Sequence, residues 1–229
     1  MTTRIRVAPG EQRASVALEG TLLVPRLIER GPRHVRVALL SGGAMLLGGD
    51  SVRIDVRVDD GCDLEIIDVG GTVVYPSDGA ESEWVFSAVI GDRASLRWDA
   101  HPMVVSDQAH VVRRSEVRLI GSARLHLRDV IVLGRAEELG GIVHSFLHIE
   151  DGEGAIHVEE FRVDGQRPDL TGTNGWRVVD SVQIVDPTAS GVQSTDDHTT
   201  VMDFGAGRFG ARWLGTELHL SPFENTRPL

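Results

Sequence analysis

The stretch SVRIDVRV, Ser51–Val58, decides the fold. In an extended chain Val52, Ile54, Val56 and Val58 fall on one face, and Arg53, Asp55 and Arg57 on the other. A period of two marks a strand with one face buried. The same alternation runs through 34–40, 84–90, 94–98, 111–119, 124–133, 156–163 and 176–185. Asp-Gly pairs at 60–61, 78–79, 151–152 and 164–165 punctuate these runs as turns. The chain therefore reads as mainly β.

Three glycines, Gly61, Gly91 and Gly121, are 30 residues apart. Each follows an alternating strand (51–58, 84–90, 111–120), and each precedes a short strand with a leucine: Leu64, Leu96 and Leu125. A strand–turn–strand unit used three times predicts layers stacked along one axis. The expected architecture is two packed sheets of mixed strands or an irregular β-solenoid. Helical signal is confined to one or two turns: Arg135–Leu139, stopped by Gly140 and Gly141, is the place for them. The chain, 1–229, is expected to form one domain. Residues 186–210, rich in Thr, Ser, Asp and Gly, read as loop, and 221–229 as a flexible tail.

Composition narrows the function classes. Hydrophobic residues make up 41% of the 229, enough for a sizeable core. The 34 acidic residues outweigh 23 basic ones, for a net charge of −11, the wrong sign for a nucleic-acid binder. All the basic residues are Arg, so lysine-based phosphate loops and Schiff bases are excluded. Cys62, the sole cysteine, permits no intrachain disulfide and no multi-cysteine metal site. Its place after a turn glycine, at a strand start, points to a structural role. The N-terminal twenty residues lack a signal-peptide apolar core, and no apolar run approaches 18 residues. A soluble cytoplasmic protein, without membrane partner, is expected.

Catalytic patterns are absent: there is no G-x-S-x-G and no H-E-x-x-H. Glu159 and Glu160 are adjacent in a strand and face opposite ways, so they cannot flank one substrate. The least ordinary stretch is GGAMLLGGD, 42–50, where two glycine pairs bracket an apolar patch. Gly43, Gly48 and Gly49 would let a partner's backbone approach closely, or simply take positive φ in a tight connection. Asp50 either caps that turn or faces a polar channel. A further glycine pair leads to Tyr75, the only tyrosine.

The histidines call for a hairpin. Residues 141–165 turn at 151–154, and pairing Glu150 with Ala155 sets His148 opposite His157, Phe146 opposite Glu159 and His144 opposite Phe161. His144, His148 and His157 then share one face with Glu150 and Glu159, while Val143, Leu147, Ile149, Ile156 and Val158 take the other. Cross-strand imidazoles could hold a divalent metal. The competing readings are a wet surface, a partner interface anchored by Phe146 and Phe161 with Glu159 orienting it, or a one-residue slip that breaks the pairing.

The order of several blocks resembles the urease accessory protein UreD family, called UreH in some organisms. They are Gly42–Asp50 followed by the strand from Ser51, the turn Asp60–Leu64, the segment Thr72–Tyr75, Trp98–Pro102, Asp129–Arg135 (DVIVLGR) and Phe161–Asp164. They cover roughly Ala17 to Val185. Departures include Val74, where the family often has Lys, and His101-Pro102-Met103, where it has Pro-Gln-Glu. The resemblance implies a β fold of stacked strands and a non-catalytic scaffold. Such a scaffold binds a UreF-like protein, is joined by a UreG-like GTPase, and docks on apo-urease subunits. It needs no intrinsic cofactor, and nickel travels through polar passages in the assembly. The main alternative is a metal-dependent enzyme on a β-sandwich or cupin-like barrel using His144, His148 and His157. A sugar-binding module, relying on exposed Trp or Tyr, is a third.

Overall fold

A computed structural model describes residues 1–76, 78–167, 173–189 and 197–223. Two sheets face each other. The first joins β1 (Thr2–Ala8), β2 (Ser15–Glu19), β5 (Ser51–Val58), β8 (Ser82–Ile90), β11 (His110–Leu119), β13 (Ile142–Asp151) and β14 (Gly154–Asp164). Its order is β14-β13-β11-β8-β5-β1-β2, parallel from β13 to β1 and closed by an antiparallel strand at each edge. The second holds β3 (Leu23–Arg30), β4 (His34–Ser41), β6 (Asp63–Asp68), β9 (Ser95–Asp99), β12 (Arg124–Leu133), β15 (Val178–Val185), β16 (Thr199–Gly205) and β17 (Arg208–Gly215). Its order is β16-β17-β15-β12-β9-β6-β4-β3, parallel from β12 to β4. Short β7 (Thr72–Val74) and β10 (Met103–Val105) extend it beside β12.

The chain crosses from the first sheet to the second three times in succession, β5 to β6, β8 to β9 and β11 to β12. This is the stacked-layer arrangement that the glycine spacing predicts. Val58 aligns with Ile90 and Ile90 with Leu119, so the coils are 32 and 29 residues long. Each crossing is a four-residue turn closed by a backbone hydrogen bond: Cys62 N–H to Asp59 O, Ala94 N–H to Gly91 O, and Ala123 N–H to Ile120 O. The three glycines thus sit at the same corner of successive layers, but at the third, first and second turn positions. Gly61 and Gly121 take positive φ (65° and 58°), and Arg93 does so (54°) where Gly61's equivalent falls in the second turn. Gly91 is there for room: a Cβ would lie 2.7 Å from the Asp60 backbone N and 2.4 Å from Asp60 Oδ1. That carboxylate accepts from Asp92 N–H (3.0 Å), and Asp92 Oδ1 from Ser122 N–H (2.9 Å), so each corner ties to the next.

Between the sheets the alternating residues form rows. Leu64, Leu96 and Leu125 stack on one side of the core, and Val74, Val105 and Leu133 on another, all buried. Burial pushes the Cys62 thiol above its ordinary pKa, in keeping with a structural role.

Three local expectations need correction. Residues 135–139 are a turn, because Glu138 folds back: its carboxylate accepts from Arg135 N–H (2.9 Å) and pairs with the Arg135 guanidinium. Among the described residues the one helical element is a 3-10 turn at Leu218–Leu220. The segment 186–210 is not all loop, since β16 and the start of β17 pair there as an antiparallel hairpin. Of the expected tail, Ser221 and Phe223 are buried against the outer side of the second sheet, beside Val130, Val178, Val182 and Trp213. Ser221 Oγ donates to the buried Asp180, which also takes a two-point clamp from Arg128. Residues 224–229 lie outside the described residues. No helix among the described residues is long and apolar enough to cross a membrane.

Candidate functional site

The inner strand faces are largely apolar, and the charged residues that interrupt them gather in mid-strand. On β11 the inward positions run Val111, Arg113, Ser115, Val117, Leu119. On β12 they run Leu125, Leu127, Asp129, Ile131, Leu133. β6 ends inward with Asp68, β15 contributes Ser181 and Gln183, and β17 contributes Arg212. Two cavities of about 40 and 30 Å³ lie here, and Ser115, Leu127 and Asp129 line both. Each exceeds the roughly 10–15 Å³ a water needs. The first is bounded towards the surface by Ser41, Gly70, Thr72 and His101. The second reaches Glu159, Phe161 and Arg212, where β14 faces β17. Together they form a line of two small cavities between the sheets, the passage, with charged groups along it.

Its charges are arranged in pairs across the gap. Arg113 on the first sheet clamps Asp129 on the second, both guanidinium NH2 groups lying 2.5 Å from the two carboxylate oxygens. Arg212 on the second sheet reaches Glu159 on the first at 2.5 Å. Arg212 also donates to Ser181 Oγ (3.1 Å) and lies 4.9 Å over the Phe161 ring. Among the described residues Asp68 pairs with no guanidinium: it accepts from Trp98 Nε1 (3.1 Å) and from His101 N–H (2.9 Å). Burial pushes the Asp68 carboxyl above the usual carboxylate range, outweighing those two hydrogen bonds, and the nearby Asp129 charge adds to the rise. Carboxylates on a hydrated path are hard oxygen ligands, able to hold a divalent ion transiently.

The predicted histidine cluster does not form. Glu150 does pair with Ala155, but Ile149 pairs with His157, leaving Ile156 as a bulge. Every pair beyond it is shifted by one: His148 faces Val158, Leu147 faces Glu159, Phe146 faces Glu160, Ser145 faces Phe161 and His144 faces Arg162. His157 and Glu159 therefore turn into the protein, and Val158 is 67% exposed rather than buried. His157 Nδ1 lies 2.8 Å from Gln183 Oε1, whereas His144 Nε2 lies outside, 2.7 Å from Glu160. No group of three His, Cys, Asp or Glu among the described residues is disposed to hold a metal ion. The two phenylalanines separate as well. Phe161 packs at the passage, and Phe146 stays on the outer face between His144 (ring centroids 4.2 Å apart) and Arg114 (4.5 Å over the ring).

The glycine-bracketed loop is pinned to the rest. Asp50 Oδ2 accepts from Leu47 N–H (2.9 Å), the turn-cap geometry, and Asp50 is not among the residues lining the passage. Gly49 takes φ 85° and donates to Glu81 O, while Gly43 and Gly48 are exposed. Leu46, fully buried, adopts φ 58° and accepts from Tyr75 N–H, so Tyr75 secures the loop through its backbone. Trp84, Trp98 and Trp213 are buried, which removes them as sugar platforms. Sequence reasoning missed Arg113, Asp129, Asp68, Gln183 and Arg212. Their signal was present: a charged or amide side chain at an apolar-register position of an alternating strand.

Comparison with known proteins gives the family. The family model described as UreD urease accessory protein matches residues 6–219. Urease accessory protein UreD 1 of Streptomyces griseus is 34% identical over 181 residues, covering 77% of this chain and 70% of that protein. UreD of Frankia alni is 36% identical over 142 residues, 61% of this chain and 45% of the relative. UreD 2 of Saccharopolyspora erythraea is 30% identical over 142 residues, 57% of this chain and 50% of the relative. The match thus spans about half the length of the latter two. The chain belongs to the UreD urease accessory protein family.

Proposed function

We propose that the protein is a non-catalytic scaffold for urease metallocentre assembly in the cytoplasm. It binds a UreF-like protein, which brings a UreG-like GTPase, and the assembly docks on apo-urease. Nickel is cargo: it moves through the interior passage rather than residing as a cofactor. The observation that carries this reading is that passage, in a chain of this family. Its carboxylates follow one another as Asp68, Asp129 and Glu159, with room for water between them. Acidic groups along a water-filled path favour cations, and the net charge of −11 draws them to the surface. The chain itself need only offer oxygen ligands in series and hold two sheets apart.

The test is co-expression with the host's UreF-like and UreG-like proteins and apo-urease. Pull-down of a four-component complex, with nickel in the urease that depends on this chain, is expected. Absence of the complex, or equal nickel content without the chain, refutes the reading. The alternative of a metal-dependent enzyme at His144, His148 and His157 has no support, because the bulge at Ile156 puts His157 on the other side of the sheet from the rest.

A further inference from the structure

The two cavities adjoin at Asp129, and Asp129 is held by Arg113. The clamp uses both terminal nitrogens of the guanidinium and both carboxylate oxygens. The Arg113 side chain is 6% exposed, whereas that of Asp129 is 34% exposed. Arg113 Nε is buried and has no hydrogen-bond partner among the described residues. The guanidinium is thus held from its end, across the gap between the sheets, while its Nε–H stays buried and unmatched among the described residues beside the first cavity. Arg212 is held otherwise: Ser181 Oγ and the Phe161 ring keep it in place besides Glu159.

We infer that Arg113 is the cation gate of the passage: clamped on Asp129, it cancels the carboxylate at the waist and sets a fixed positive charge in the path of a divalent ion. This rests on the nickel-passage reading above. A divalent ion can take Asp129 only when the guanidinium gives it up. Released, Arg113 needs new acceptors, and the adjoining cavities, each roomy enough for water, can supply them. The neighbouring Ser115 and Ser145 are uncharged and small, and both line the second cavity. The gate is local: it separates Asp68, which pairs with no guanidinium among the described residues, from Glu159 on the far side.

The full chain is titrated with nickel chloride by calorimetry, as wild type, Arg113→Met, Arg113→Met with Asp129→Asn, and Arg113→Lys. Arg113→Met is expected to bind one further ion per chain, at least tenfold more tightly than wild type. The double variant is expected to return to the wild-type level. Arg113→Lys, which keeps the charge but loses the two-point clamp, should fall between. In the assembled complex at limiting nickel, Arg113→Met should speed incorporation into urease. A folded Arg113→Met that binds within twofold of wild type overturns the inference. So does a gain that survives Asp129→Asn, or slower incorporation at unchanged affinity, which marks a merely structural arginine. Should Arg113→Met fail to fold, Arg113→Lys decides: a threefold or greater gain supports the gate, and none overturns it. Failure of the parent reading is separate, because it would show in the wild-type complex as nickel content independent of this chain.

Discussion

Replacing Gly91 by alanine tests the layered architecture at its tightest point. The residue is buried where one coil lies on the preceding one, with its N–H bonded to Val58 O at 2.8 Å. An added Cβ would fall 2.4 Å from Asp60 Oδ1, 2.7 Å from Asp60 N and 3.0 Å from Asp59 C. Two of these three are backbone atoms, so no side-chain rotation relieves them and the coils must part. Overpacking of this kind costs about 1–3 kcal/mol. Shifting Asp60 also strains its bond to Asp92 N–H, worth about 1 kcal/mol. A loss of about 2–4 kcal/mol follows, and for a domain of this size each kcal/mol lowers the melting temperature by about 2–4 °C. Gly43→Ala is the control, since nothing lies within 4 Å of its Cβ position. Thermal unfolding of the three proteins, followed by circular dichroism, should show Gly91→Ala melting at least 4 °C below wild type and Gly43→Ala within about 1 °C. Equal melting of Gly91→Ala and wild type would refute the contact between coils.

Asp68→Asn should become more stable relative to wild type as pH rises from about 4 through the raised pKa of Asp68, because a buried carboxyl whose folded pKa lies above its unfolded value loses stability on ionising; melting curves from pH 4 to 8 check the sign. Glu138, held down to about 2 by the Arg135 guanidinium and backbone N–H, behaves oppositely: its contribution is lost as pH falls from 4.5 to about 2, and Glu138→Gln should be flat over that window. Asp180→Ala takes the carboxylate away from a buried guanidinium and from Ser221, and should cost about 3–5 kcal/mol by urea unfolding. Phe146→Ala, on the outer face, should leave the melting temperature within about 2 °C of wild type while weakening pull-down of the proposed UreF-like partner by about 1–3 kcal/mol; unchanged pull-down removes that face as the docking surface.

How far the sequence could be read depends on the range of the interaction that fixes each feature. Alternation within SVRIDVRV is local, and the faces it assigns are those found: Val52, Ile54, Val56 and Val58 are all buried. The corner glycines mark the layers because every crossing needs either positive φ or clearance from the layer below. The exact 30-residue period is an average, since Arg93 shows that a non-glycine can take the same backbone conformation. The hairpin failed at one residue. Its turn and the Glu150–Ala155 pair are local, but the bulge at Ile156 keeps both Ile156 and His157 towards the core, a choice made by packing across the sheets. One inserted residue then reverses the face of every side chain on that strand. Region 186–210 was misread because β16 gains its order from pairing with β17 rather than from its own polar composition.

The passage was legible in part, and its energetics say why it exists. Alternation places Arg113 and Asp129 on inward faces, but their meeting joins different sheets and no local pattern states it. Stability does not demand the pair. Replacing a buried ion pair by well-packed apolar residues is often neutral, or stabilising by about 1–4 kcal/mol. The same coils show how such a row would look: Val56, Ala88, Val117 and Ile149 continue from strand to strand with no polar atom in their side chains. The polar level is bounded instead by apolar rows, Leu64–Leu96–Leu125 towards the glycine corners and Val74–Val105–Leu133 towards the opposite loops. Those rows hold the sheets together, so the level between them can take in water without loosening the fold. Charges gathered in mid-strand, each carboxylate next to a cavity and one of them, Asp129, held by a guanidinium fixed only at its end, fit the cation passage proposed above and are not what core packing requires.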